Sequence, residues 1–236
     1  MAVATMTDSE VDDMIALLLD QRSPGSEAFE HNMKIAGASL AVKFAEQADT
    51  TDKSFAIVTS AQDREFFALG FAEALAKNGA RVTISTLWNK FLPPKGFVRS
   101  TTILLAQHHD PHPERVDCVA YVCSSLAEDA TVADALSRVS GVIEADDFLV
   151  FSLTGSETER GNLDDHLDYR DCPRPAIHLL EGDRSFDLAS RGASIRKGLR
   201  DHLKRAYGWK GLAYIPQSLG GPKPDYVSEY VPGLQF

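Results

Sequence analysis

The sequence predicts an α/β fold, a doubly wound and predominantly parallel sheet with a C-terminal helical and irregular extension. Three observations point there. The runs SFAIVTS (54–60), ARVTISTLW (80–88), VDCVAYVCS (116–124) and DDFLVFSLTG (146–155) are continuously apolar rather than alternating, the pattern of strands covered on both faces. Helical stripes separate the first pair and the second pair, over connections that suit parallel neighbours with a right-handed crossover. The strand-helix-strand order occurs twice, at 54–88 and at 117–153.

Taken in chain order, Val11, Met14, Ile15, Leu18 and Leu19 recur at helical spacing until Pro24 and Gly25 stop them. A second helix starts near Glu27 and carries the stripe Phe29, Met33, Ala36, Leu40 and Phe44 to about Ala48, with Gly37 its weakest position. After the first strand, Phe67, Gly70, Phe71, Ala74 and Leu75 line a helix that Asn78-Gly79 terminates. From Asn89 to Arg115 the pattern dissolves, and the expectation is a long loop excursion with one short strand at 102–106. Val132, Ala135, Leu136 and Val139 give the next helix, closed by Gly141; a polar stretch follows Gly155, then a short strand at AIHLL (176–180). Ile195, Leu199, Leu203 and Ala206 place a last helix. Its other faces carry Arg196, Lys197, Arg200, Lys204 and Arg205, which read either as a solvated basic face beside acidic neighbours or as an anion or partner site. The Gly- and Pro-rich end holds Tyr226, Tyr230, Leu234 and Phe236, apolar enough to pack on the core. The expected organisation is an N-terminal helix (1–26), an α/β core (27–180), and a basic helix with its tail (181–236).

Composition narrows the function classes. Thirty-four acidic against 24 basic residues leave a net charge of −10, which opposes general binding to nucleic acid or to an anionic membrane. The apolar run MIALLL is short and follows Asp8, Glu10, Asp12 and Asp13, the reverse of an export signal, and no stretch reaches the ~20 apolar residues of a membrane span. Cys118, Cys123 and Cys172 form an odd set without a CxxC pair and read as buried thiols in a reducing cytoplasm. Cys118 and Cys123 would face opposite sides of one strand.

In an open parallel sheet, ligands sit beyond the carboxyl ends of the strands, where helix N-termini present free amides to anions. Two bends qualify: TSAQDR (59–64) and CSSLAEDAT (123–131). Neither contains glycine, and no Walker or dinucleotide fingerprint occurs. Candidate ligand-binding residues are Ser60, Asp63 and Arg64 on the first bend and Ser124, Ser125 and Thr131 on the second. Helix capping accounts for Ser60, Asp63, Asp129 and Thr131 as well as ligand binding does.

The order of elements over roughly 27–170 resembles the type I phosphoribosyltransferase fold, and ERGNLDDHL after the fourth strand is similar to the segment following the core in orotate-type members. The family's ribose-phosphate loop carries two adjacent acids, then threonines and glycine. Here Ser124 and Ser125 stand for the acids, and AEDAT replaces the Thr-Gly portion with one residue fewer. The resemblance implies a small phosphorylated molecule or nucleotide as ligand, Mg2+ arriving with it, a phosphate contact for Thr131, a base or pyrophosphate contact for Lys90 after the second strand, and a mobile loop at 91–115. Glu128 and Asp129 would repel a phosphate, so transferase activity is expected to be lost or altered.

Other readings stay open. Residues 54–84 also resemble the opening of Toll/interleukin-receptor domains, without a match to that family's later glutamate. His108, His109, Asp110, His112 and Glu114 are dense enough for a metal, although Pro111 and Pro113 stiffen a stretch that also reads as a solvated loop. No GxSxG elbow anchors a serine hydrolase. A non-enzymatic role would use residues 194–236 to form a homo-oligomer or to hold a protein partner.

Overall fold

The computed structural model describes residues 7–92, 101–111, 113–181, 188–209, 214–221 and 223–224. The continuously apolar run at 54–60 forms β1 (Ser54–Ser60), and burial on both of its faces makes it central. Five strands join it: β2 (Arg81–Leu92), β3 (Thr101–His109), β4 (Arg115–Ser125), β5 (Glu144–Thr154) and β6 (Ala176–Leu179), in the order β3-β2-β1-β4-β5-β6. All neighbours run parallel except β2 and β3. The sheet is thus doubly wound and mostly parallel, as the sequence predicts. Because the chain winds one way from β1 to β2 and the other way from β4 onward, the switch point lies between β1 and β4.

Helices cover both faces. On one side α1 (Asp8–Leu19), α2 (Glu27–Ala45), α4 (Leu69–Lys77) and α7 (Leu188–Tyr207) bury Met14, Leu18, Phe29, Phe71, Ile195 and Leu199 against Ile57, Ala120 and Phe151. On the other, α5 (Asp129–Ser140) and α6 (Glu157–Tyr169) bury Val132, Leu136, Leu163 and Leu167 against Val58, Val119 and Tyr121. α4 continues from a short α3 (Ala61–Asp63) through a π-helical turn at Arg64–Ala68. Gly79, at φ 90°, closes it in the left-handed conformation that a helix C-terminus favours. α7 is tied down by His202, whose Nδ1 accepts from the Gly25 amide at 2.8 Å and whose Nε2 lies 2.9 Å from Glu30.

Three expectations need correction. The stretch after Asn89 is not one long loop: β2 continues to Leu92 and pairs with the nine-residue β3 as an antiparallel ribbon. β3 is an edge strand with Ile103 and Leu105 exposed, so it lacks the two-sided apolar signature. The polar stretch after Gly155 is the helix α6, started by a capping box between Ser156 and Glu159. Arg196 on α7 is not solvated; its side chain is 5% exposed. Residues 93–100, His112 and the aromatic tail at 225–236 lie outside the described residues.

Cys118 and Cys123 do face opposite cores. Burial, followed by the Asp63 charge, pushes the Cys123 thiol up to about 12, and burial raises Cys118 as well. Thiolate is the reactive form. In the native protein a thiol-specific disulfide reagent should therefore titrate about one thiol per chain, the half-buried Cys172, and all three after unfolding. Rapid native reaction of all three would overturn the assignment.

Candidate functional site

β1 and β4 are parallel neighbours, so the bends that follow them reach the same rim of the sheet. At the first, the Ser60 hydroxyl accepts from the Asp63 amide at 3.2 Å and caps α3, and it donates to the Asp63 carboxylate at 2.9 Å. At the second, β4 ends in Ser125, a 3-10 turn spans Leu126–Glu128, and α5 begins at Asp129. The Ser125 hydroxyl accepts from the Ala127 amide at 3.0 Å.

One guanidinium joins the two bends. Arg196 reaches from α7 to within 2.8 Å of Asp63 Oδ2 with one terminal nitrogen and 2.8 Å of Glu128 Oε2 with the other. Arg200, one turn later, lies 3.5 Å from Glu128 Oε1. Burial opposes the charge on Arg196, but Glu128 and Asp63 outweigh it and hold its pKa above the ordinary arginine value. α7 can lie this close because Gly192 passes over the end of β4: a Cβ there would sit 2.7 Å from Ser125 Oγ.

Beside this ion cluster is a cleft of about 310 Å3. Its charged lining is Lys90, Arg196, Arg200 and Glu128; Trp88, Trp209 and Tyr214 give it an aromatic wall, and Ser60, Gln62, Asn89 and Thr131 add polar groups. The wall is fixed by the segment after α7, since Trp88 Nε1 donates to the Tyr214 carbonyl at 2.6 Å. Ser218 is held by both residues that open the π-helical turn: its amide donates to Glu65 at 2.6 Å and its hydroxyl meets Arg64 Nε at 3.1 Å. A register shift between Trp88 and Asn89 brings residues 87–90 to the cleft.

Of the residues singled out in the sequence, Ser60, Lys90 and Thr131 line the cleft. Lys90 lies within β2 rather than after it. The Thr131 hydroxyl is 3.0 Å from that of Thr102. Asp63, fully buried, bears on the cleft through Arg196. Arg64 turns away to Thr86, at 2.5 Å, and to Ser218. Ser124 and Ser125 are buried; the Ser124 amide meets Asp63 Oδ1 at 3.3 Å while its hydroxyl has no partner among the described residues.

The sequence reading missed the aromatic wall; it held an anion or partner site open for the basic face that carries Arg196 and Arg200 but did not place the pair at this cleft. An available signal was their i, i+4 spacing immediately beside the apolar stripe Ile195, Leu199 and Leu203. A protein-held Mg2+ does not fit this donor set. Glu128 is the one carboxylate among the described lining residues, two guanidiniums share it, and no three His, Cys, Asp or Glu among the described residues gather as metal ligands. His108, His109, Asp110 and Glu114 therefore form no such group either.

No family model and no curated protein matches the chain. Among solved structures it is similar to an adenine phosphoribosyltransferase from Thermoanaerobacter pseudethanolicus, at 13% identity and a TM-score of 0.44 over 74% of this chain and 98% of that one. A hypoxanthine phosphoribosyltransferase from Staphylococcus aureus matches at 11% identity and a TM-score of 0.42, over 64% and 72% of the two chains. A hypothetical protein from Neisseria gonorrhoeae with bound ppGpp matches at 14% identity and 0.39, over 71% and 93%.

Proposed function

We propose that the chain binds a nucleotide or phosphoribosyl compound in the cleft beside the β1–β4 switch point. The observation that carries this is the pairing, in one cleft, of an aromatic wall (Trp88, Trp209, Tyr214) with three cations (Lys90, Arg196, Arg200). A heteroaromatic base suits the wall, where stacking contributes ~1–3 kcal/mol per base. A phosphate suits the guanidiniums, which bind its oxygens in a planar fork. Any Mg2+ would come with the ligand's phosphates.

Binding without phosphoribosyl transfer is the better-supported form of this reading. Ser124 and Ser125 lack the charge to stabilise a developing ribosyl cation, and both are buried. Assembly through the basic face of α7 has less support, because Arg196 and Arg200 on that face are engaged by the chain's own Asp63 and Glu128. The cytoplasm suits such a ligand and the free thiols.

Both tryptophans of the chain line the cleft, so intrinsic fluorescence reports on it directly. Titration with nucleoside mono-, di- and triphosphates and with phosphoribosyl pyrophosphate, with and without Mg2+, should give a saturable fluorescence change and matching heat in a calorimeter. Lys90→Met should weaken binding by about tenfold, in line with the loss of one charge-assisted contact. Neither heat nor fluorescence change with any of these compounds would remove the reading.

A further inference from the structure

Resting on that reading, we propose that Glu128 is a built-in competitor: its carboxylate occupies the anion subsite formed by Arg196 and Arg200, and a phosphomonoester or diphosphate binds by taking its place. The subsite is on α7 because the bends have used their own amides. The Ser124 amide points to Asp63, the Ala127 amide to Ser125 Oγ, the Ala130 amide to Asp129 Oδ1 and the Asp63 amide to Ser60 Oγ. An anion arriving at these helix N-termini finds those donors satisfied. The guanidiniums are the alternative. Arg196 lines the cleft with its side chain 5% exposed, and its Nε is buried without a partner among the described residues, an orphan donor of the kind that points to a missing acceptor.

The two carboxylates on Arg196 are not equivalent. Asp63 is 1% exposed and also holds the Ser60 hydroxyl and the Ser124 amide, so it is fixed. Glu128 is 21% exposed, sits at the end of a single 3-10 turn, and is bonded only to Arg196 and Arg200 among the described residues. It can swing into water while Asp63 keeps Arg196 neutralised. A phosphate then accepts from Arg196 and Arg200, with Lys90 on the cleft wall. The exchange favours ligands with more than one negative charge, since a monoanion only replaces like with like.

The test compares wild type with Glu128→Gln, using 5′-AMP, inorganic phosphate and the uncharged nucleoside adenosine as probes, read by tryptophan fluorescence and calorimetry. Glu128→Gln should bind AMP about tenfold more tightly and leave adenosine unchanged. Arg200→Met should weaken AMP and again leave adenosine unchanged. Glu128→Asp, which keeps the charge but shortens its reach to Arg200, guards against misfolding of the glutamine variant and should show a smaller gain for AMP. Unchanged or weaker AMP binding in whichever of the two Glu128 variants fold overturns the exchange. If wild type and variants bind none of the probes and none of the wider nucleotide set, the failure lies with the binding reading itself.

Discussion

Asp63→Ala is expected to destabilise the protein by about 3–5 kcal/mol, the effect of leaving a buried charge without its partner. Asp63 and Arg196 are almost completely buried, and the Asp63 carboxylate also takes bonds from the Ser60 hydroxyl and the Ser124 amide. Its removal leaves a buried guanidinium at the centre of the switch point with the part-exposed Glu128 as its one remaining carboxylate among the described residues. Urea unfolding should show a lower midpoint with an unchanged slope, since the surface exposed on unfolding is the same. The double variant Asp63→Leu with Arg196→Met should recover most of the loss, because replacing both members of a buried pair by apolar groups is often near neutral. The double variant would then fold but lose phosphate affinity, separating the stabilising role of Arg196 from its ligand role. A single-variant loss below about 1 kcal/mol would show that the pair is solvated and that α7 is not fixed by it.

The legible part of the fold is the part with two-sided burial. β1, β4 and the C-terminal half of β5 are continuous apolar runs because helices cover both sheet faces there, and a composition signal survives without any partner being known. β3 was legible only as a short strand at 102–106, because one of its faces meets water: Ile103 and Leu105 are exposed, so no buried alternation marks its full length. α6 escaped because Leu163 and Leu167 are nearly its whole apolar face, and the Ser156–Glu159 capping box was a local signal left unread. Ser60 and Thr131 were legible from position alone, since strand order determines which bends share a rim; Lys90 came from the family resemblance. Trp88, Trp209 and Tyr214 were not, and Arg196 was legible only as one member of a basic helix face. They come from β2, α7 and the segment after it, and only the path of α7 across the rim brings them together.

Gly37 carries the second large expected effect, and for a reason that helix propensity hides. In the sequence it is the residue that weakens α2. In the fold it is where α2 crosses the helix above it: a Cβ at Gly37 would lie 2.0 Å from the Phe67 carbonyl oxygen, and one at Gly70 would lie 2.1 Å from the Lys34 carbonyl oxygen. Both obstacles are backbone, so no rotamer change relieves them and the helices must separate. Gly37→Ala gains up to ~1 kcal/mol in helix propensity. Against that stands overpacking, typically ~1–3 kcal/mol and here at or beyond the upper end because whole helices shift. A net loss of about 2–3 kcal/mol lowers the melting temperature of a chain this size by roughly 4–12 °C. Gly70→Ala should behave alike. Gly161, in α6, is the control, since a methyl group added there would meet nothing within 4 Å. Gly161→Ala gains the propensity term alone and should raise the melting temperature. If Gly37→Ala melted with or above Gly161→Ala, α2 and α4 could not be crossing at these glycines, and the α-helical layer behind β1 would have to be packed differently.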